Sequence, residues 1–504
     1  MKFPRAFIFG IDGGDWAILR SLMSRGLLPH LSRFHDEAAS AALTCTQPAH
    51  TAPGWASLVT ARYPGGHAAY QFFHTQEPSY RGRVTTSADV GTSTLFDWVV
   101  KQGWRVGVVN VPMSHPPRKL PGYQLTWPLA NTLHFCDPPG LLAELAGAGA
   151  PFRSDLACMY RGDLSYIDEA LHNIEQRKNS IKYLLEKHPV DLLATVITET
   201  DRVCHHYWHY FDPTHPQHPA APERKYARAI EDCYKAVDSA FGELLALMPD
   251  ETTVVVASDH GSGAGLEDLS LNSVLAEYGL LAMCPAERAP KDVASWFVED
   301  GRTIDWERTR AYSPVPGCFG VNLNLKHRQE LGAVSADDAE AVLRDVEEAF
   351  RELRTRHTQR PVFRNILRAA HCYPGPFTRL APDLLLEPEE ETTILSGHLS
   401  GPLWRPSYQT GLHRFEGIWM QRSPRVRTGA LTQPMRIVDV APTLLADAGA
   451  AWPEGVTGRA RSDVMRSGLV EEGGCLAEDG EGAAGATMDE DPLVSERLRA
   501  MGYL

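Results

Sequence analysis

Four stretches of this chain are apolar almost without interruption, and helical periodicity resumes after each. Arg5 to Ile11, Arg105 to Val111, Asp191 to Thr198 and Thr252 to Ser258 read as strands covered on both faces, the pattern of a parallel sheet between helices. Between them, Asp15 stands as the N-cap of a helix whose apolar period runs to Leu27. Thr51 precedes a helix extending to about Ala61, with Pro53 tolerated in its first turn. Tyr166 to Glu186 and Pro222 to Leu247 carry the period of long amphipathic helices. Strand and helix alternate, which predicts an α/β three-layer sandwich: a mostly parallel central sheet with helices on both faces.

Two regions break the alternation. Residues 115 to 160 are Pro-rich and irregular. Residues 265 to 380 hold a strand candidate, Gly320 to Leu325, and a charged helix, Ala336 to Arg354, and read as an inserted cap or subdomain over the crevice. Asp383 to Leu386 and Ile437 to Ala448 are expected to return to the core. From about Arg461, Gly, Ala, Glu and Asp dominate, as in a flexible acidic tail, with a short terminal helix around Leu493, Leu498 and Met501. The expected organisation is a catalytic domain over residues 1–460, with the insert at about 265–380, followed by a tail over 461–504.

Composition narrows the class of partner. The chain has 504 residues, 43% of them hydrophobic and 22% charged, so it can bury a sizeable core. A net charge of −14 argues against a surface for duplex nucleic acid. It leaves small phosphorylated substrates open, because bound cations reverse the local field. The apolar run at the N-terminus is too short for a signal peptide, and no stretch approaches the roughly 18 apolar residues needed to cross a bilayer. Nine cysteines without a C-x-x-C pair complete the expectation of a cytoplasmic protein with free thiols. No membrane association is expected, and a homo-oligomer is left open.

The candidate chemistry lies where the strands end. Asp12 follows the first strand, Asp201 and His205 follow the third, and Asp259-His260 close the fourth; Thr51 opens a helix, and His413 sits in Gly-Leu-His-Arg. Such places gather side chains into one crevice of an α/β sheet. Asp201 and His205 share a helix face if the chain turns helical after its strand. Three carboxylates, one hydroxyl and three imidazoles suit two borderline divalent cations, zinc first and manganese as the alternative. Any one of them alone has an ordinary explanation, with Thr51 a plain N-cap and His413 a surface histidine. Asp15, His206 and His398 read as structural or exposed. Seven in this order point to a two-metal hydrolase of a phosphate ester.

Longer segments around these residues resemble the alkaline phosphatase superfamily, in its type I phosphodiesterase/nucleotide pyrophosphatase-like branch. Ile-Asp-Gly-Gly-Asp-Trp and Thr-Ala-Pro-Gly-Trp-Ala-Ser-Leu-Val-Thr-Ala-Arg-Tyr-Pro-Gly-Gly-His are similar to that branch's nucleophile region. Asp-Arg-Val-x-His, Ser-Asp-His-Gly, Gly-Leu-His-Arg-Phe-Glu-Gly and Ile-Val-Asp-Val-Ala-Pro-Thr-Leu-Leu are similar to its later motifs, so the resemblance covers roughly residues 5 to 460. It implies an alkaline-phosphatase-like fold, Thr51 as nucleophile with a phosphothreonine intermediate, one metal on Asp201, His205 and His413, and the other on Asp12, Thr51, Asp259 and His260. It also implies a small phosphorylated substrate, with phosphomonoesterase or phosphonate monoester hydrolase as alternatives to phosphodiesterase. The sulfatase motif, Cys or Ser before x-Pro-x-Arg, falls on Thr51, Pro53 and Trp55: Thr cannot become formylglycine, and the Arg is missing. A non-catalytic binding relative would have lost ligands, and all seven are present. One departure bears on substrate. The branch usually carries an Asn that contacts a phosphoryl oxygen, but the corresponding stretch here is Ala68-Ala69-Tyr70-Gln71-Phe72-Phe73. Tyr70, Phe72, Phe73 and the insert are candidates for lining an aromatic leaving-group pocket.

Overall fold

Ala6–Ile11 is buried at every position and forms the middle of a ten-stranded sheet. It pairs in parallel with Leu192–Ile197 on one side, Ala6 opposite Leu192, and with Thr253–Ala257 on the other, Ala6 opposite Thr253. Val106–Val109 and Gly122–Leu125 extend the parallel block beyond Leu192–Ile197. Both faces are covered, which explains why these strands are continuously apolar rather than alternating. The computed structural model describes residues 4–129, 132, 134–154, 162–315, 319–356, 359–389, 392–466, 476 and 488–489.

The strand expected over 105–111 is Val106–Val109, and the helix expected over 222–247 divides into Arg224–Ala227 and Ala229–Leu245. The helix expected over 15–27 is Trp16–Ser24, with Asp15 as its N-cap: the Asp15 carboxylate accepts from the Ala17 and Ile18 amides. One face of the sheet packs through Phe7, Phe9 and Ile11 onto this helix, Pro29–Glu37, Tyr166–Lys187 and Ala229–Leu245. The other face packs through Ala6 and Ile8 onto Thr51–Thr60, Leu95–Lys101 and Val440–Ala448. Two strands escape the sequence pattern. Glu416–Arg422 runs antiparallel to Thr253–Ala257, and Ala39–Thr44 runs antiparallel to Glu416–Arg422. Within the stretch expected to be irregular, Gly122–Leu125 joins the sheet and Leu141–Gly147 forms a helix.

The excursion from the core is longer than its composition suggests. Asp383 to Leu386 does not return to the central sheet. Leu384–Pro388 pairs antiparallel with Gly320–Leu323 and Phe363–Arg368 in a four-stranded sheet completed by Ala311–Tyr312. Glu267–Ser270, Thr393–Ser396 and Trp404–Pro406 make a second small sheet. Leu384, Leu386, Val321 and Phe350 belong to an apolar cluster of this region that continues onto Ala52 and Ala56 of the helix Thr51–Thr60, so a short leucine run is as well buried here as in the main sheet.

The C-terminal boundary also moves. Val464 and Met465 are buried against the main sheet's helical face, past the expected start of the tail at Arg461. Beyond Arg466 only Leu476, which bridges to Pro453, and Met488–Asp489, paired with Arg81–Val84, are described; the terminal helix expected around Leu493, Leu498 and Met501 lies outside the described residues. A chain ending after Arg466 is expected to melt within about 2 °C of the full chain. One ending after Ala460 loses buried Val464 and Met465, a cost of about 3–5 kcal/mol. Differential scanning fluorimetry separates the two, and equal melting of both truncations would show that Val464 and Met465 do not anchor this end. No described helix is long and apolar enough to cross a membrane, and the six described cysteines are free.

Candidate active site

The parallel strands deliver their polar residues to one end of the sheet. Asp12 comes directly after Ile11, Asp259-His260 just past Ala257, and Asp201 in the first turn of the helix Glu199–Phe211 that follows Leu192–Ile197. That helix is tied down by Glu199, fully buried, which accepts from the Arg177 guanidinium at 2.6 and 2.9 Å and from Asn173. A buried bidentate pair of this kind holds its geometry firmly, and with it the position of Asp201. His413 arrives from the opposite direction on Gly411–Arg414, antiparallel to Gly261–Ala264 and opposite Ser262.

Close approach requires glycine at two points. Gly13 has φ +64°, and a Cβ there would lie 2.7 Å from Ser262 Oγ. At Gly54 a Cβ would lie 2.8 Å from Asp259 Cβ, so only a glycine lets the helix Thr51–Thr60 sit against the end of the fourth strand. Thr51 is not the N-cap of that helix. His50 is, its Nδ1 accepting from the Ala52 amide at 3.1 Å. The Thr51 hydroxyl is therefore released from capping and turns into the site.

The side chains form two adjoining groups. In one, Asp201 Oδ1 lies 3.2 Å from His205 Nε2 and 3.3 Å from His413 Nε2, and the two Nε2 atoms are 3.0 Å apart. In the other, His260 Nε2 lies 3.3 Å from Asp259 Oδ2, 3.3 Å from Thr51 Oγ1 and 3.6 Å from Asp12 Oδ1. Thr51 Oγ1 is 3.5 Å from Asp12 Oδ1. The His260 and His413 rings stack at 3.7 Å, and His260 also falls within 4.8 Å of the donor atoms of Asp201 and His413, so the groups touch. All seven predicted residues meet in this one place.

Proton positions follow from the backbone. His205 Nδ1 is 2.8 Å from the Gly411 carbonyl, His413 Nδ1 is 2.8 Å from the Ala49 carbonyl, and His260 Nδ1 is 3.0 Å from the Gly261 carbonyl. A carbonyl only accepts, so each Nδ1 carries the hydrogen and each Nε2 presents a lone pair. The Nε2 atoms of His205 and His413 thus face Asp201 Oδ1, that of His260 faces Asp259 Oδ2, Asp12 Oδ1 and the Thr51 hydroxyl, and Asp201 Oδ1 and Asp259 Oδ2 have no hydrogen-bond partner among the described residues. Such a donor set fits cations, with the outer nitrogen of each imidazole fixed as metal-binding histidines require. Charge gives the same answer. Burial, then repulsion from Asp259 and Asp201, pushes the Asp12 carboxyl well up, and burial with repulsion from Asp201 raises Asp259 to about 8. Burial would also raise Asp201, but positive charge on the facing imidazoles, His205 first, which protons at Nε2 supply where no cation is bound, holds it well below the usual carboxylate range. Burial keeps His260 neutral. The Trp55 indole donates to Asp12 Oδ2 at 3.1 Å and fixes that carboxylate's orientation.

The mouth of the site contains residues that the sequence pattern did not single out. Trp127 and Arg202 line the cavity beside Thr51, Asp12 and His413. Of the three aromatics in the Tyr70–Phe73 stretch only Phe72 lines it, packed on Trp127 at 5.0 Å and on His50 at 5.1 Å. Tyr70 packs toward Tyr373 and Phe73 toward Trp296. Arg202 had a visible signal in its place beside Asp201, whereas Trp127 sits in a Pro-rich stretch without periodicity. Asp15 is a helix cap, His206 is buried beside Tyr408, and His398 pairs with Glu299 at 3.1 Å.

A parallel sheet with a hydroxyl, three carboxylates and three imidazoles at its carboxyl end defines a phosphoester hydrolase of alkaline-phosphatase-like fold. The chain belongs to the type I phosphodiesterase / nucleotide pyrophosphatase family, whose model matches residues 6–415. In fold it is similar to phosphonoacetate hydrolase from Sinorhizobium meliloti 1021, in crystal structures with phosphonoformate (TM-score 0.53) and with phosphonoacetate (TM-score 0.54). Each is 14% identical, with 89% of this chain and 96% of that chain covered. No curated protein matches the chain in sequence.

Proposed function

We propose that the chain hydrolyses phosphate esters in two steps through Thr51, with two divalent cations, zinc before manganese, as its cofactors. Asp201, His205 and His413 would hold one cation, and Asp12, Thr51, Asp259 and His260 the other. The observation that supports this reading is the convergence of three imidazole lone pairs and three carboxylates around a hydroxyl released from helix capping. When bound, the cations supply Lewis-acid stabilisation of the negative charge that develops on oxygen. The chain's own residues do the rest. Thr51 Oγ1 gives up its proton and attacks phosphorus, the bond to the ester oxygen breaks, and the alcohol leaves with a proton; water then cleaves the bond between Thr51 Oγ1 and phosphorus, restoring the hydroxyl and releasing phosphate from a monoester or a phosphate monoester from a diester. The amino end of the helix Thr51–Thr60 adds a field that favours the alkoxide and the phosphoryl oxygens. Phe72 and Trp127 keep bulk water from the reacting oxygen.

The deciding experiment compares zinc-loaded protein on bis-p-nitrophenyl phosphate, p-nitrophenyl phosphate, a phosphonate monoester and an aryl sulfate. Turnover of phosphorus esters, with the sulfate at least about a hundredfold slower in kcat/KM, is expected. Preference for the aryl sulfate would overturn the reading.

A further inference from the structure

Thr51 and His413 both take their places from one short loop, which joins the strand Ala39–Thr44 to the helix Thr51–Thr60. The Ala49 carbonyl in this loop accepts from His413 Nδ1 at 2.8 Å. The next residue, His50, caps the helix through its own Nδ1 and so frees the Thr51 hydroxyl. A shift of the loop therefore moves the hydroxyl and the imidazole together. At its start the Cys45 amide donates to the Phe415 carbonyl at 3.2 Å, continuing the strand. Further on, Thr46 Oγ1 donates to the Pro48 carbonyl at 2.8 Å, a bond that closes the loop on itself.

A tie from outside comes from the insert. The Gln47 amide donates to the hydroxyl of Tyr373, 326 positions away. Tyr373 is only 7% exposed, and its ring packs on Tyr63 at 5.6 Å and on Tyr70 at 6.4 Å. Four residues on, the Phe377 amide donates to the Gly65 carbonyl at 3.0 Å, which fastens the same segment to the helix Pro64–His67. The hydroxyl is thus held by its own surroundings and fixes the loop rather than following it. Tyr70 belongs to the same ring cluster, but its buried hydroxyl has no hydrogen-bond partner among the described residues. An amide that loses its acceptor in such a place shifts toward another, and a displacement of about 1 Å at a reacting group costs about a hundredfold in rate.

We infer that Tyr373 is a positioning residue: its hydroxyl, acting through the loop Gln47–His50, sets Thr51 for attack and His413 for its cation. This deepens the hydrolase reading of the same site and rests on it. The test uses full-length Tyr373→Phe beside Tyr70→Phe, which removes a hydroxyl from the same ring cluster without removing a hydrogen bond. Three readouts are needed: kcat and KM of the zinc-loaded proteins on p-nitrophenyl phosphate, zinc affinity by competition with a chromophoric chelator, and melting temperature. Tyr373→Phe is expected to lower kcat about 10- to 100-fold with KM within about threefold of wild type. It should also weaken one of the two zinc ions about tenfold, since the imidazole of His413 loses its fixed orientation. Tyr70→Phe should stay within about twofold of wild type in kcat, KM and zinc affinity. A merely structural Tyr373 would lower the melting temperature and leave the kcat and zinc affinity of the folded protein unchanged. That result, or equal losses in the two variants, would overturn the assignment. If wild-type protein turns over no ester, the hydrolase reading fails, while the zinc affinities still decide whether Tyr373 orients His413.

Discussion

Thr51→Ala is expected to lower turnover by about four orders of magnitude or more while the chain stays folded. The substitution removes one oxygen and one methyl from a buried position at the start of a helix whose cap is supplied by His50, so the helix keeps its N-terminus. Asp12, Asp259 and His260 remain to hold the cation of that group. Thr51→Ser keeps the hydroxyl and should stay within about tenfold of wild type. With wild-type protein and an aryl phosphate, rapid acid quench followed by peptide mass spectrometry should find phosphate on Thr51. Turnover of Thr51→Ala at the wild-type rate would remove this residue as nucleophile and leave direct attack by water.

Removal of metal is expected to be as severe. Asp12, Asp201 and Asp259 converge with little solvent, and two of the three are driven toward their neutral forms by burial and mutual repulsion. Without cations the site holds opposed lone pairs and repelling carboxylates, so chelation should abolish activity and lower the melting temperature, with zinc or manganese restoring both. His413→Ala should act on one cation only. It removes one Nε2 donor beside Asp201 and His205, and should weaken that metal about 10- to 100-fold, with partial rescue at high zinc concentration. Full activity of a demonstrably metal-free preparation would end the two-metal reading.

Part of the site could be read along the chain because its members sit at the ends of continuous apolar runs. Asp12, Asp201 and Asp259-His260 are placed by local pattern plus the rule that parallel strands present their carboxyl ends together. Thr51 was legible as a helix start, but its freedom from capping was not, since that depends on the His50 ring taking the Ala52 amide. His413 had no local signal. Its place is set by the register of Gly411–Arg414 against Gly261–Ala264, residues some 150 positions apart.

The sequence by itself determined the buried parallel strands, most of the long helices and the order of polar residues that follow them, because strand and helix periods are local properties of a few consecutive side chains. Tertiary structure alone decided the rest. Ala39–Thr44 and Glu416–Arg422 become strands by pairing with each other and, for Glu416–Arg422, with Thr253–Ala257, and Leu384–Pro388 joins Gly320–Leu323 and Phe363–Arg368 rather than the central sheet because the apolar cluster there receives it. Trp127 and Arg202 enter the cavity through contacts between separate segments. Contacts across long stretches of chain leave no trace in a local period, and they are the contacts that build the mouth of this site.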